Sequence, residues 1–184
     1  SQGTMRRALI TLEAEGLLNR KPGRGTLVAA PEANPQAGAA PALTDATGGA
    51  PGFELHRART ESRRAEAAEA DRFCAGRRTI LDRLLKRAGR RAALETILVP
   101  VGLIAAPDEA APHDLGGFLA VHDIEPHRIT TRSTARLTTM TEAVTLNTDR
   151  ATALLTLTSV AYDSTGACLA TQSLRIVDPD LGYG

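Results

Sequence analysis

Two tight turns, at residues 88–91 and 163–166, constrain the fold of this chain more than any other feature. Each turn contains glycine, and each lies between two runs that are rich in branched and apolar residues. Glycine, Asp and Ser favour turns, and strands that are joined by a tight turn run antiparallel. The chain after residue 53 is therefore predicted to contain a mostly antiparallel sheet.

The same region also contains helical signals, of which the Ala-, Glu- and Arg-rich segment 61–75 is the longest. Segment 79–86 is strand-like, although its local pattern alone also allows a helix. We expect helices over 61–75, 115–122 and 141–147, and strands over 53–59, 79–86, 92–101, 129–139, 154–162 and 167–177. Helices packed on an antiparallel sheet make the predicted fold class α+β.

Residues 1–28 carry a separate pattern. Apolar residues recur there with the i, i+3, i+4, i+7 spacing of an amphipathic helix, which is expected to end at Gly16: Met5, Ala8, Leu9 and Leu12. Turn residues at 22–25 then separate two short apolar runs, which predicts a hairpin over 17–28. Five cations and two anions give the segment a net charge of +3, which suits phosphate binding. A solvated surface helix and hairpin would have the same composition.

Residues 29–52 are rich in Ala, Pro and Gly, contain no Lys or Arg, and show neither helical nor strand periodicity. This composition is typical of a linker. We therefore divide the chain into a first segment at 1–28, a linker at 29–52 and a domain at 53–184.

Several classes of function find no support in the composition. No apolar run is long enough to cross a bilayer and no signal peptide is recognisable, so a cytoplasmic location without a membrane partner is expected. Two cysteines and four scattered histidines do not have the spacing of a disulfide framework or a metal site. The sequence also contains no motif that is typical of a nucleotide-binding loop or a catalytic triad. We therefore expect no cofactor and no metal.

The pattern of residues 1–28 resembles the recognition helix and wing of GntR-family bacterial transcription regulators. The match includes Thr4-Met5-Arg6, Glu15-Gly16-Leu17-Leu18 and Gly23-x-Gly25-Thr26. The resemblance implies a partial winged helix-turn-helix, because two helices would precede these elements in a complete one. It also implies a set of DNA-binding residues on the recognition helix and the wing: Ser1, Gln2, Thr4, Arg6, Arg7, Arg20, Lys21, Arg24, Gly25 and Thr26.

The region from about residue 53 to residue 180 resembles the UTRA domain of the HutC branch of that family, which shares the fold of chorismate lyase. The resemblance rests on Arg83, on Leu94-Glu95-Thr96-Ile97-Leu98-Val99-Pro100, on Leu115 and Leu119, and on Tyr162-Asp163-x-x-Gly166. Arg83 lies 12 residues before Glu95, as the paired Arg and Glu of the family do. The resemblance implies a domain that binds a small-molecule effector.

In that family a phosphorylated or carboxylated metabolite is often held by an Arg-x-Arg pair, a helix hydroxyl and two Glu residues. This chain keeps Arg83 and Glu95, but Leu85 stands at the second Arg position, Gly117 or a neighbour at the hydroxyl position, and Ala170 at the second Glu position. We therefore expect an effector that is less anionic and more apolar than a sugar phosphate. The candidate effector-binding residues are Arg83, Glu95, Arg132, Thr171, Gln172 and Arg175. A structural Arg83–Glu95 pair and solvated strand faces are the alternatives.

Together these features indicate a ligand-responsive transcription regulator, a repressor that binds double-stranded operator DNA and dimerises through its C-terminal domain. The chain is expected not to be an enzyme. Two alternatives stay open. One is a ligand-binding or dimerisation module that does not bind DNA. The other is a chorismate lyase-like enzyme, in which Glu95 would assist pyruvate elimination from an Arg-bound substrate.

Overall fold

The computed structural model describes residues 18–21, 25–28, 42–64 and 77–183 of the 184-residue chain. The chain divides into two units, residues 1–42 and residues 43–184. In the first unit β1 (Leu18–Lys21) and β2 (Gly25–Val28) pair antiparallel, with Leu18 opposite Val28. This pairing agrees with the hairpin predicted for residues 17–28. The predicted helix before it and the turn residues 22–24 lie outside the described residues.

The second unit is built on a six-stranded antiparallel sheet with the strand order β4-β5-β6-β9-β8-β7. Its strands are β4 (Glu54–Arg64), β5 (Arg77–Arg87), β6 (Arg90–Pro100), β7 (Arg128–Leu137), β8 (Ala153–Tyr162) and β9 (Cys168–Ile176). Two short helices accompany the sheet in the described region, α1 (Leu115–Val121) and α2 (Met140–Leu146). The predicted α+β class and antiparallel sheet of this unit are confirmed.

A further antiparallel pair joins the two ends of this unit. Strand β3 (Leu43–Asp45) pairs with β10 (Leu181–Tyr183), and Leu181 lies opposite Asp45. Strand β3 falls inside the segment that composition predicted to be a linker. Strand β3 is therefore stabilised by pairing with a strand about 140 residues away in the sequence. The local composition does not predict that pairing.

The prediction of a helix over 61–75 is wrong for its first turn. Residues 61–64 belong to β4, which continues past the predicted strand end at residue 59 and pairs with β5 as far as Arg64 opposite Arg77. The hydrogen bonds of this long ladder outweigh the local helix preference of Glu and Arg. Residues 65–76 lie outside the described part of the chain.

Side chains alternate across the sheet, so each strand contributes to two faces. On one face, the α1 face, Leu81, Ile97, Val99 and Ala170 pack against Phe118 of helix α1. On the opposite face, the α2 face, Leu84 and Leu154 pack against Leu146 of α2. The apolar core thus lies on both sides of the sheet. None of the helices in the described ranges is long and apolar enough to cross a membrane.

Candidate functional site

A buried ion pair lies in the middle of the α1 face. Arg83 on β5 and Glu95 on β6 are directly opposite each other in the ladder, and both side chains are fully buried. The Nε of Arg83 donates a hydrogen bond to Oε2 of Glu95 at 2.6 Å. Arg83 and Glu95 therefore pair across the hairpin, as their spacing suggested. Because the pair is buried, the small stabilisation energies that are typical of exposed ion pairs do not apply to it.

The remaining donors of Arg83 hold a loop segment that we call the strap, residues 108–113. Nη1 donates to the backbone oxygens of Glu109 and Ala111, and Nη2 donates to that of Pro112 at 3.0 Å. Four of the five N–H groups of the guanidinium are therefore used. The buried charge is thus both neutralised and hydrogen-bonded, which is the condition for burying it.

Gln172 of β9 is the third member of this cluster. Its Nε2 donates to Oε1 of Glu95 and, at 2.8 Å, to the backbone oxygen of His113 in the strap. The ring of His113 lies with Nδ1 3.4 Å from Oε2 of Glu95 and packs edge-on against Phe53. Arg83, Glu95 and Gln172 therefore form one polar cluster that holds the strap against the sheet.

The strap leads directly into helix α1, where Asp114 is the N-cap and accepts a hydrogen bond from the backbone N–H of Gly117. A Cβ at position 117 would lie 2.8 Å from Cβ of Pro112 and 2.7 Å from Oδ2 of Asp114. Pro112 of the strap and the side chain of Asp114 therefore fill the space beside Gly117. Leu85 and Ala170 are likewise fully buried and belong to apolar clusters.

The other candidate effector contacts lie on the α2 face. Thr171 is buried, and Arg175 donates from Nη2 to Oγ1 of Thr96 at 2.8 Å. Arg132 on β7 is exposed and makes no hydrogen bond or ion pair within the described residues. The structure thus brings together Arg83, Glu95 and Gln172, whereas Thr171, Arg132 and Arg175 face the opposite side of the sheet.

A second ionic cluster is found on the α2 face, around Glu142. Arg136 donates to both carboxylate oxygens of Glu142, and Nη1 of Arg175 lies 3.6 Å away. The hydrogen bonds from Arg136 lower the pKa of Glu142 to about 2. Glu142 is therefore ionised at neutral pH, where it anchors the start of α2.

Sequence reasoning did not find the strap. Its contacts to Arg83 are made by backbone oxygens, which every residue type has, so they cannot be predicted from side-chain identity. His113 was one of four histidines whose spacing indicated no metal site, and in the structure its ring lies with Nδ1 3.4 Å from Oε2 of Glu95. The nearest available signal was Gly117, since a missing side chain at a helix start allows another segment to approach closely.

Four of the predicted DNA-binding residues lie on the β1–β2 pair. Arg20 is opposite Thr26, and Lys21 is opposite Gly25. The other predicted contacts, Ser1, Gln2, Thr4, Arg6, Arg7 and Arg24, lie outside the described residues. Within the part of the chain that is described, no three His, Cys, Asp or Glu side chains converge to hold a metal ion.

Solved structures with this fold come from several bacteria. PhnF from Mycobacterium smegmatis is 23% identical, with a TM-score of 0.57 over 98% of this chain and 82% of its own. The ligand-binding domain of a candidate GntR-family regulator from Bordetella bronchiseptica is 15% identical, with a TM-score of 0.63 over 77% of this chain and 93% of its own. A GntR-family transcriptional regulator from Enterococcus faecalis is 13% identical, with a TM-score of 0.58 over 70% and 98%.

No curated protein sequence is significantly similar to this chain. The family model for the UTRA domain, in contrast, matches residues 46–176. The matched region contains the whole six-stranded sheet, both described helices and the strap. It covers well over half of the sequence, and the chain therefore belongs to the UTRA domain family.

Proposed function

We propose that this chain is a GntR-family transcription regulator of the HutC branch, in which effector binding by the UTRA domain controls DNA binding by residues 1–28. The observation that carries the proposal is the buried cluster of Arg83, Glu95 and Gln172 on a face whose buried side chains are mainly apolar. Buried ion pairs are often no more stabilising than apolar packing of the same volume. Their presence in a binding domain is better explained by recognition of a polar ligand group.

The solved structures support the same assignment. The Bordetella bronchiseptica domain is described as ligand-binding, and the Enterococcus faecalis protein as a transcriptional regulator of the GntR family. Effector and DNA affinity are coupled only if the effector binds the DNA-competent and incompetent states differently. We propose that this coupling acts in a cytoplasmic homodimer formed through the UTRA domain, and that the effector releases a repressor from its operator.

The β1–β2 pair supports a role as the wing. Arg20 and Lys21 lie at the end of β1, opposite Thr26 and Gly25. Cations at such a tip can contact phosphates, and a glycine lets the backbone approach a groove closely. Arg24 and the helix residues Ser1, Gln2, Thr4, Arg6 and Arg7 would complete the DNA-contacting set.

The effector is proposed to be less anionic and more apolar than a sugar phosphate. Leu85 and Ala170 are buried where the resembled family carries charged side chains, and Gly117 has no hydroxyl. Calorimetry with a hexosamine phosphate tests this point directly. Micromolar affinity for that compound would contradict the proposed effector class.

DNA binding is tested by selecting duplexes from a random library with the chain and measuring their affinity by fluorescence anisotropy. The double variant Arg20→Glu/Lys21→Glu should weaken binding and lower the slope of log K against log[salt] by about 2. Arg150→Glu, a charge reversal at an exposed site in the second unit, is the matched control. Failure to enrich any duplex would contradict DNA binding by this chain and favour a module that acts without DNA.

Effector control is tested by adding a broad panel of metabolites to the selected complex. Release of DNA by one compound, with binding of that compound to the UTRA domain, is the expected result. A complex that no compound affects would count against the regulator proposal. We also propose that the chain is not a lyase, because Glu95 is already bound to Arg83 and Gln172; pyruvate released from chorismate would overturn this.

A further inference from the structure

The strap occupies the part of Arg83 that would bind a ligand carboxylate. The two terminal nitrogens of the guanidinium face backbone oxygens of consecutive residues, Nη1 that of Ala111 and Nη2 that of Pro112. A guanidinium can bind a carboxylate in the same way, with each terminal nitrogen donating to one of the two carboxylate oxygens. The strap is thus an internal substitute for a carboxylate ligand.

Several other residues keep the strap in this position, including Thr60, which donates to Glu109, and His122, which accepts from the backbone N–H of Asp108. Gln172 donates to the backbone oxygen of His113, and Gly117 leaves the space that Pro112 and Asp114 fill. The strap itself lies near the surface, with Glu109, Ala110 and Pro112 exposed and Ala111 buried. Its displacement would uncover Arg83 without opening the sheet.

The charge around Arg83 favours a singly charged group over a dianion. The carboxylate of Glu95 already neutralises the guanidinium from the Nε side at 2.6 Å. A phosphate would add two further negative charges to a pair whose net charge is zero, in a buried environment where repulsion is strong. The neighbouring Leu85 and Ala170 suit an apolar body attached to the charged group.

We propose that the strap is an internal competitor for Arg83, and that a monocarboxylate with an apolar body binds this domain by displacing the strap and taking its place on Nη1 and Nη2. This inference rests on the proposed function, since it describes how the effector site is closed and opened. The strap continues into α1, so its displacement moves the start of a helix whose Phe118 and Leu119 lie in the core.

Hydrogen–deuterium exchange of the full chain tests the displacement. The probes are straight-chain monocarboxylates from acetate to octanoate, with inorganic phosphate as the comparison. Peptides that cover residues 108–114 should exchange faster at saturating carboxylate, because displacement breaks the hydrogen bond from the backbone N–H of Asp108 to Nε2 of His122. Phosphate at the same ionic strength should leave their exchange unchanged.

A matched pair of glycine variants tests the competition. In Gly117→Ala the new Cβ meets Pro112 and Asp114 at less than 3 Å, whereas in Gly116→Ala the nearest atoms are 3.4 Å away or more. Gly117→Ala should lose strap protection and bind the longer carboxylates roughly 3- to 10-fold more tightly, because less of the protein is in the closed state. Gly116→Ala should behave like the wild type.

Gln172→Ala provides a second variant if Gly117→Ala does not fold, and it should shift carboxylate affinity in the same direction. Three results would overturn the inference. These are carboxylate binding without faster exchange of the strap, weaker carboxylate binding in both Gly117→Ala and Gln172→Ala, and no response to any carboxylate. Strap displacement that leaves DNA binding unaffected would instead contradict the proposed function alone. Release of DNA by an effector that leaves the strap protected would contradict the inference alone.

Discussion

Arg83 and Glu95 show how much the meaning of a residue pair depends on its surroundings. On the surface such a pair contributes about 0–1 kcal/mol. Here both side chains are fully buried, and three further N–H groups of Arg83 are bound by the strap. Each partner therefore compensates the desolvation of the other, and the loss of one leaves a charge without a counter-ion.

We expect Glu95→Gln to lower the free energy of unfolding by about 3–5 kcal/mol, because it leaves the Arg83 guanidinium buried without its counter-charge. The double variant Arg83→Met/Glu95→Leu should cost less than Glu95→Gln alone. Urea denaturation followed by circular dichroism measures both. Glu61→Gln is the control, because Glu61 pairs with Arg59 on the surface and its loss should cost under about 1 kcal/mol. Equal effects of Glu95→Gln and Glu61→Gln would show that burial does not matter.

At the scale of elements, helix α2 is held at its start by a capping box. Thr139 accepts a hydrogen bond from the backbone N–H of Glu142, and the Glu142 side chain accepts one from the backbone N–H of Thr139. Arg136, at the end of β7, then binds the same carboxylate through two nitrogens. One side chain thus joins the last residues of a strand to the first turn of the following helix.

The lowered pKa of Glu142 predicts a loss of stability in acid. Its folded-state pKa of about 2 lies below the unfolded value of about 4.3, so the contribution is present above the unfolded value and lost as the pH falls towards 2. Because Arg136 is partly exposed, we expect only about 1–2 kcal/mol. Unfolding of the wild type and Glu142→Gln from neutral to acidic pH measures it, and the two should converge in acid. Glu125→Gln, at an exposed residue, should run parallel to the wild type throughout.

The β5–β6 hairpin contains a correctable strain. Arg87 pairs with Arg90, so the turn has two residues, Ala88 and Gly89, with φ of 49° and 76°. Two positive φ values in succession are typical of a type I′ turn, for which Asn-Gly is preferred. Ala88→Asn should therefore raise the free energy of unfolding by about 0.5–1 kcal/mol. Ala88→Val, in contrast, should lower it, and a stabilising Ala88→Val would refute the turn assignment. Thermal melts measure both variants.

At the scale of the whole molecule, the two ends of the second unit are joined by the β3–β10 pair. Leu181 of β10 is buried with Leu43, Phe53 and Leu85, so the pair also closes one end of the apolar core. We expect Leu181→Ala to cost about 2–4 kcal/mol of unfolding free energy, measured by urea denaturation. Leu103→Ala, at a position 37% exposed, should cost under about 1 kcal/mol. Similar small losses at both positions would mean that the end strands do not stabilise the domain.

Local sequence signals predicted the central hairpins well and the edges poorly. The predicted turns at 88–91 and 163–166 both contain glycine, and the strands beside them were predicted within about two residues of their observed ends. Strand β3 and the end of β4 were missed, because each is stabilised by a partner strand and the short-range composition opposes it. Backbone hydrogen bonds between distant segments produce no characteristic residue periodicity in the sequence of either segment.

The sequence by itself determined the antiparallel sheet, and the resemblance to the UTRA domain implied the Arg83–Glu95 pair and the replacement of charged positions by Leu85 and Ala170. Turn residues and strand alternation are local signals, whereas the register that places Arg83 opposite Glu95 also depends on the shift between Leu85 and Lys86 in the β5–β6 ladder. Only the tertiary structure decided that the pair is buried, that Gln172 joins it while Thr171 and Arg175 face the other side, and that the strap covers it. Burial and backbone contacts depend on how distant segments pack, and side-chain identity does not encode them.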